Sequence, residues 1–140
     1  MRARRVALIF FAAVWAGRIA LSAAQDPAAP PPSAVPYTEA QAGRGADVFT
    51  GVCLECHARK DFSDTEFRGK WRGRSAFDLF ERMRSTMPES SPGSLTRQQY
   101  LDVVAYVVKL NGLAAGSVEL ADDEAALKKV ILALPSLDRR

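Results

Sequence analysis

An all-α fold is what this sequence predicts, and three observations predict it. Apolar residues recur at helical spacing in several windows, and three candidate helices open on capping side chains. No convincing run alternates apolar and polar residues as a strand would. The 140 residues leave room for one small domain. Apolar residues make up 48% and charged residues 25%, which excludes disorder, collagen and coiled coil as descriptions of the whole chain.

The first element reads as an export signal over residues 1–24. Arg2, Arg4 and Arg5 make a charged start, and Val6 to Gly17 is an uninterrupted run of 12 apolar or small residues. Ser22-Ala23-Ala24 then offers small residues for cleavage before Gln25. The run is well short of the ~20 residues that span a bilayer, and Arg18 ends it, so no membrane span is expected after signal cleavage. Retention as an uncleaved anchor is the alternative. Residues 25–36 hold five prolines and few large apolar groups, which makes them an extended tether outside the fold.

The folded domain is expected over residues 37–113, with residues 114–140 as a C-terminal extension. Thr38 can cap a first helix from Glu39, with Ala40, Ala42, Ala46, Val48 and Phe49 along it. Gly43 and Gly45 each weaken that helix, which asks either for the close approach of another backbone or for nothing more than a poor local sequence. Residues 58–74 look irregular, because Phe62, Phe67 and Trp71 are spaced too unevenly for a clean helix. Ser75 and Asp78 form a capping box that opens a short helix, its face carrying Phe77, Phe80 and Met83 and its end set by Pro88. Thr96 and Gln99 form a second box. The clearest helix follows, with Tyr100, Val103, Val104, Val107 and Leu110 in register and Asn111-Gly112 closing it. A last amphipathic piece is expected from Asp122 to Leu134, with Ala126, Leu127, Val130 and Leu134 on one side.

The formal charge of +3 belongs to the leader. Arg2, Arg4, Arg5 and Arg18 all lie before residue 25, and without them 15 basic residues face 16 acidic ones, a net of −1. Nucleic-acid binding therefore has no electrostatic case.

Cys53-Leu54-Glu55-Cys56-His57 is the one strong motif, and its spacing is that of covalent haem attachment. Two thiols three positions apart on one turn can each join a vinyl group at the porphyrin edge. The following histidine then offers its imidazole to the iron. These are the only two cysteines and the only histidine in the chain, and the leader delivers them to the compartment where such attachment occurs. Three other readings of the pair are weaker. A thioredoxin-like dithiol wants alternating strands and helices. A zinc site wants four ligands, and the chain has three Cys and His in total. A structural disulfide leaves His57 unexplained.

Methionine is the natural donor for the opposite face of the iron. Met1 leaves with the signal, so the choice lies between Met83 and Met87. Met83 falls on an apolar helix face, where core packing explains it. Met87 lies just past that helix, held extended by Pro88, which suits a loop ligand. An open sixth position is the remaining possibility.

With these residues stated, the chain resembles the class I c-type cytochromes, near the small cytochromes associated with bacterial periplasmic quinoprotein dehydrogenases. The likeness covers residues 37–113, with a weaker echo in 119–132. It rests on Gly45 and Phe49 before CLECH, on Trp71-Arg72-Gly73, on TMPESSPGSL and on YLDVVAYVVKLNG. The resemblance implies a cytochrome c fold around one haem c per chain, held by Cys53, Cys56 and His57 with Met87 as sulfur ligand. It further implies that Gly45 and Phe49 pack against Tyr106 where the first and last helices cross. Trp71 either meets a haem propionate or packs in the core.

The function implied is one-electron transfer in a periplasmic chain, without enzymatic activity. Redox proteins are the expected partners, a dehydrogenase as donor and an oxidase or cytochrome as acceptor, in transient complexes of a monomer. Arg59, Lys60, Arg68, Lys70, Arg72 and Arg74 are expected to form a basic stretch around the thioether edge, either steering partners or simply solvated. Two alternatives stand beside this: a tightly bound haem subunit of a dehydrogenase or oxidase, and a haem sensor or enzyme with an open sixth site. A core this short is near the ~70–80-residue limit below which a staple is needed, and covalent haem is such a staple.

Overall fold

The computed structural model describes residues 35–136. The export signal and most of the proline-rich segment lie outside those residues. Among the described residues the regular structure is helical: α1 (Glu39–Gly51), α2 (Thr65–Trp71), α3 (Ala76–Thr86), α4 (Arg97–Leu110) and α5 (Glu124–Lys129), with 3₁₀ turns at Cys53–Glu55 and Arg59–Phe62. Extended pairing is confined to two isolated bridges, Val35 with Ala115 and Ser75 with Ile131. The fold is all-α, as expected. No helix among the described residues is long and apolar enough to cross a membrane.

The caps sit where the sequence places them. Thr38 accepts from Gln41 N at 3.0 Å, and the Ser75–Asp78 and Thr96–Gln99 boxes are both closed. Asn111 caps the end of α4, and Gly112 follows with φ +81°. Such bonds satisfy the orphaned N–H groups of a first helical turn from within three residues of sequence.

The core is organised by α1 crossing α4. A side chain at position 45 would have its Cβ 1.8 Å from the Asp102 carbonyl oxygen and 2.9 Å from Tyr106 Cβ, so the two backbones meet at Gly45. Phe49 packs its ring 5.2 Å from that of Tyr106. The expected contact of Gly45 and Phe49 with Tyr106 is therefore present. Gly43 is different: it is exposed, with no neighbour within 4 Å of a built Cβ, and no close approach accounts for it. Beside the crossing, Asp102 is buried and bidentate with Arg44, both bonds 3.0 Å, and takes a third from Gln98 at 2.8 Å. A buried carboxylate is tolerated when its lone pairs are filled in this way.

Four expectations are corrected. Residues 58–74 are not irregular, since α2 occupies Thr65–Trp71. Asp64 caps it by accepting from Phe67 N at 2.7 Å, and Phe67 and Trp71, one turn apart, share its buried face. On α3 the buried stripe is Ala76, Leu79, Phe80 and Met83, while Phe77 is only half-buried, with Lys128 Nζ over its ring. On α4, Leu110 is partly exposed and burial extends instead to Leu101, Ala105 and Val108, because α1 and α3 cover different sides of it. The last amphipathic piece is helical only to Lys129. Ala126 is exposed, and residues 130–132 run extended against 73–76 through Gly73 N to Leu132 O, Leu132 N to Arg74 O and Ala76 N to Val130 O, at 2.8–3.0 Å.

Described residues on both sides of the 37–113 stretch pack onto this core. Val35 is buried, and Gly116 N donates to Tyr37 O at 2.8 Å. The Gln41 side-chain amide, fully buried, exchanges bonds of 3.2 and 2.8 Å with the backbone of Leu120. Leu120, Leu127, Leu132 and Leu134 are all buried. Of the four acids in this stretch, Asp123 caps α5, whereas Glu119 pairs with Arg44, Asp122 with Arg97 and Glu124 with Lys128.

Candidate functional site

The turn after α1 sets the first half of the site. Val52 ends the helix, Cys53–Glu55 winds into a 3₁₀ turn, and Cys56 N and His57 N both donate to Cys53 O at 3.2 and 3.0 Å. That tight wrap presents two thiols and an imidazole within one turn. Cys53 is half-buried, Cys56 is exposed, and the two are not joined in a disulfide. Burial pushes the Cys53 thiol above its ordinary range, which keeps it protonated. The His57 ring meets Phe62 edge-on at 5.2 Å, and Phe62 in turn lies 5.0 Å from Phe49, so the imidazole is seated against the α1–α4 core.

The second half comes from the end of α3. Met87 caps that helix with extended angles, φ −128° and ψ 151°, as expected for a residue before proline. Pro88 then leads into a Ser-, Pro- and Gly-rich loop that returns to α4 through Leu95.

Between these halves lies a cavity of about 530 Å³. Cys53, Cys56, His57 and Met87 all line it, and so does Met83. The structure thus brings together both cysteines, the histidine and both candidate methionines on the wall. Val52, Phe62, Leu95, Tyr100 and Val103 complete a mostly apolar surface. The size and lining are those of a site for a large apolar ligand. A nitrogen donor and sulfur donors lining one cavity suit a transition metal such as iron. The cavity fits a haem. Among the described residues no group of three or more His, Cys, Asp or Glu is placed to hold a metal by itself.

Nothing in the sequence sets Tyr100 apart as a site residue. In the sequence it is one member of an apolar stripe, yet it is the member with a polar tip, and its hydroxyl donates to the Met87 carbonyl at 2.6 Å. Trp71 is buried in the core beside Phe67 and is not part of the cavity wall. The six basic residues do not line the cavity either. Arg59 bonds Tyr106 and Thr50, Arg68 bonds Asn111, and Lys70 and Arg74 stand over Trp71. The charged side chains on the cavity wall are acidic, Glu55 and Glu89.

Residues 40–107 match the model of a family described as cytochrome c oxidase, cbb3-type, subunit III. No curated protein and no solved structure matches the chain at a significant level.

Proposed function

Residues 40–107 being a class I c-type cytochrome domain, whose cofactor is covalently attached haem c with its iron, we propose that this protein is an exported one-electron carrier with histidine–methionine ligation. Cys53 and Cys56 would hold the porphyrin through thioethers, and His57 and Met87 would bind the iron. The observation that carries this reading is the shared cavity: both thiols, the single histidine and Met87 line one mostly apolar site.

Haem bound there supplies a one-electron couple. The chain's own residues then have three tasks. With both His57 and Met87 as ligands the iron would have no position left for a substrate, and the thioether–imidazole pair would raise the potential. Val52, Phe62, Leu95 and Val103 keep water from the site, which favours the less charged oxidation state. Cys56 and Glu55 line the cavity and are exposed, so the attachment turn offers redox partners a way in to the haem edge. Contacts of that kind are small and transient.

Optical spectra of the exported protein, oxidised and reduced, test this directly. A low-spin ferric spectrum with a sulfur-to-iron charge-transfer band, and a pigment that stays on the polypeptide in acid–acetone, support the assignment. A high-spin ferric form, or pigment lost to acetone, overturns it.

The family's description favours a second reading, in which the domain is a haem subunit of an oxidase or dehydrogenase complex. Chemistry at the haem is unchanged; the association is permanent. Copurification of larger subunits under native conditions selects this reading, and a monomeric native mass selects the free carrier.

A further inference from the structure

The carbonyl oxygen of Met87 is where three pieces of chain meet. The Tyr100 hydroxyl donates to it at 2.6 Å, and Gly93 N donates to it at 3.4 Å. Met87 N closes the last turn of α3 by donating to Met83 O at 2.8 Å. The loop that leaves at Pro88 folds on itself through Ser91 N to Pro88 O and Ser94 N to Ser91 O, and turns back at Gly93, whose φ is +79°. The loop is therefore closed upon the very residue that carries the sulfur.

The donor side of the 2.6 Å bond is rigid. Tyr100 is 2% exposed, in the first turn of α4, which the Thr96–Gln99 box fixes. Its ring packs edge-on against Phe80 at 6.4 Å. A phenylalanine would fill that space equally well, so the hydroxyl is a separate commitment. It needs an acceptor in an apolar wall, and the Met87 carbonyl is the acceptor it has.

We infer that Tyr100 is a positioning residue for the sixth ligand, its hydroxyl holding the Met87 backbone from which the sulfur reaches the iron. This rests on the assignment of Met87 as ligand. Withdrawing the sulfur means lifting the loop away from α4 and breaking this bond. A competing ligand such as imidazole binds only the lifted form, so its apparent affinity reports how firmly the loop is held.

The test is imidazole titration of the ferric holoprotein, followed by loss of the sulfur-to-iron charge-transfer band. Tyr100→Phe removes the hydroxyl and keeps the ring, and imidazole is expected to bind roughly 3- to 10-fold more tightly, the worth of one neutral hydrogen bond. Tyr106→Phe is the control: its hydroxyl accepts from Arg59 Nε at 3.1 Å, away from the loop, and imidazole affinity stays at the wild-type value. Equal affinity in wild type and Tyr100→Phe overturns the inference, and so does an equal gain in both variants. A wild-type protein with no sulfur band overturns the ligand assignment and this inference with it, whereas an intact band with an unresponsive Tyr100→Phe overturns this inference alone. Wild-type NMR gives a second readout that needs no variant: the Tyr100 hydroxyl proton is expected to be protected from exchange, and free exchange overturns the bond.

Discussion

A Cβ at position 45 would stand 1.8 Å from the carbonyl oxygen of Asp102, so this pair fixes the distance at which α1 and α4 cross. The obstacle is backbone on both sides and has no rotamer to give way. Gly45→Ala is therefore expected to destabilise the holoprotein by ~3 kcal/mol, the upper end for overpacking a core. Gly43, two residues earlier on the same helix, faces open space, and Gly43→Ala is expected to stabilise by about 0.5–1 kcal/mol through helix propensity. Urea denaturation of the two variants reads both signs. A neutral Gly45→Ala would mean that the helices do not cross as described.

The Ser75–Asp78 box gives a pH dependence with a definite sign. Ser75 Oγ and N donate to Asp78 Oδ2 at 2.8 and 3.0 Å, and these bonds hold the carboxyl below its usual range. A lowered folded-state pKa contributes stability that is present above the ordinary carboxylate value of about 4 and is lost as pH falls through the lower folded value. At neutral pH, Ser75→Ala is expected to cost about 1 kcal/mol, as for other N-caps. The gap between variant and wild type narrows on acidification below pH ~4, because protonating Asp78 weakens the Ser75 Oγ to Asp78 Oδ2 bond, one of the two that the substitution removes. Urea midpoints across that range measure it, and a gap that widens in acid contradicts the box.

What was legible in the sequence is what is settled within a few residues. Thr38, Ser75 and Thr96 announce their helices because each bond reaches only three positions along the chain. The attachment turn is legible for the same reason, with all its chemistry between Cys53 and His57. Gly45 signalled that something must come close, although nothing nearby in sequence names Asp102 as the neighbour. The miss at α2 was local, since Asp64 caps it three residues ahead of Phe67; the other misses are set by distant partners. Val130 to Leu132 continue a helical pattern of apolar residues, yet run extended because Gly73, Arg74 and Ala76 supply backbone partners more than fifty residues away in sequence. Phe77 was placed inside by periodicity and stands half outside because Leu127 and its neighbours take the adjoining side of α3. Tyr100 looked like one core residue among several until the end of α3 was set against it.

Haem removal is expected to unfold the domain. The cavity occupies about 530 Å³ between the attachment turn and the end of α3. Without the haem, Phe62, Leu95, Tyr100 and Val103 would line a cleft open to water instead of packing on a cofactor, in a core near the ~70–80-residue limit below which a staple is needed. A haem-free Cys53→Ala/Cys56→Ala chain should therefore show weak helical circular dichroism and no cooperative melting transition. Native helicity with a sharp transition would show that α1 and α4 hold together without the cofactor.

Met83 and Met87 stand one helical turn apart on the same cavity wall, and a pair of leucine substitutions separates their roles. Leucine and methionine are close in volume, so each change costs less than ~1.5 kcal/mol of packing, and neither variant should fail to fold. Met83 is 7% exposed within the buried stripe of α3, and Met83→Leu is expected to keep the low-spin spectrum, the sulfur charge-transfer band and the potential. Met87 sits outside the helix with its backbone held by Tyr100, and Met87→Leu removes the only sulfur that the loop can bring to the iron. The expected result is loss of the band, a lower potential, and prompt carbon monoxide binding by the reduced protein. The reverse pattern, with Met83→Leu losing the band and Met87→Leu keeping it, would move the ligand one turn back into α3 and leave the Pro88–Leu95 loop without a part in holding the iron.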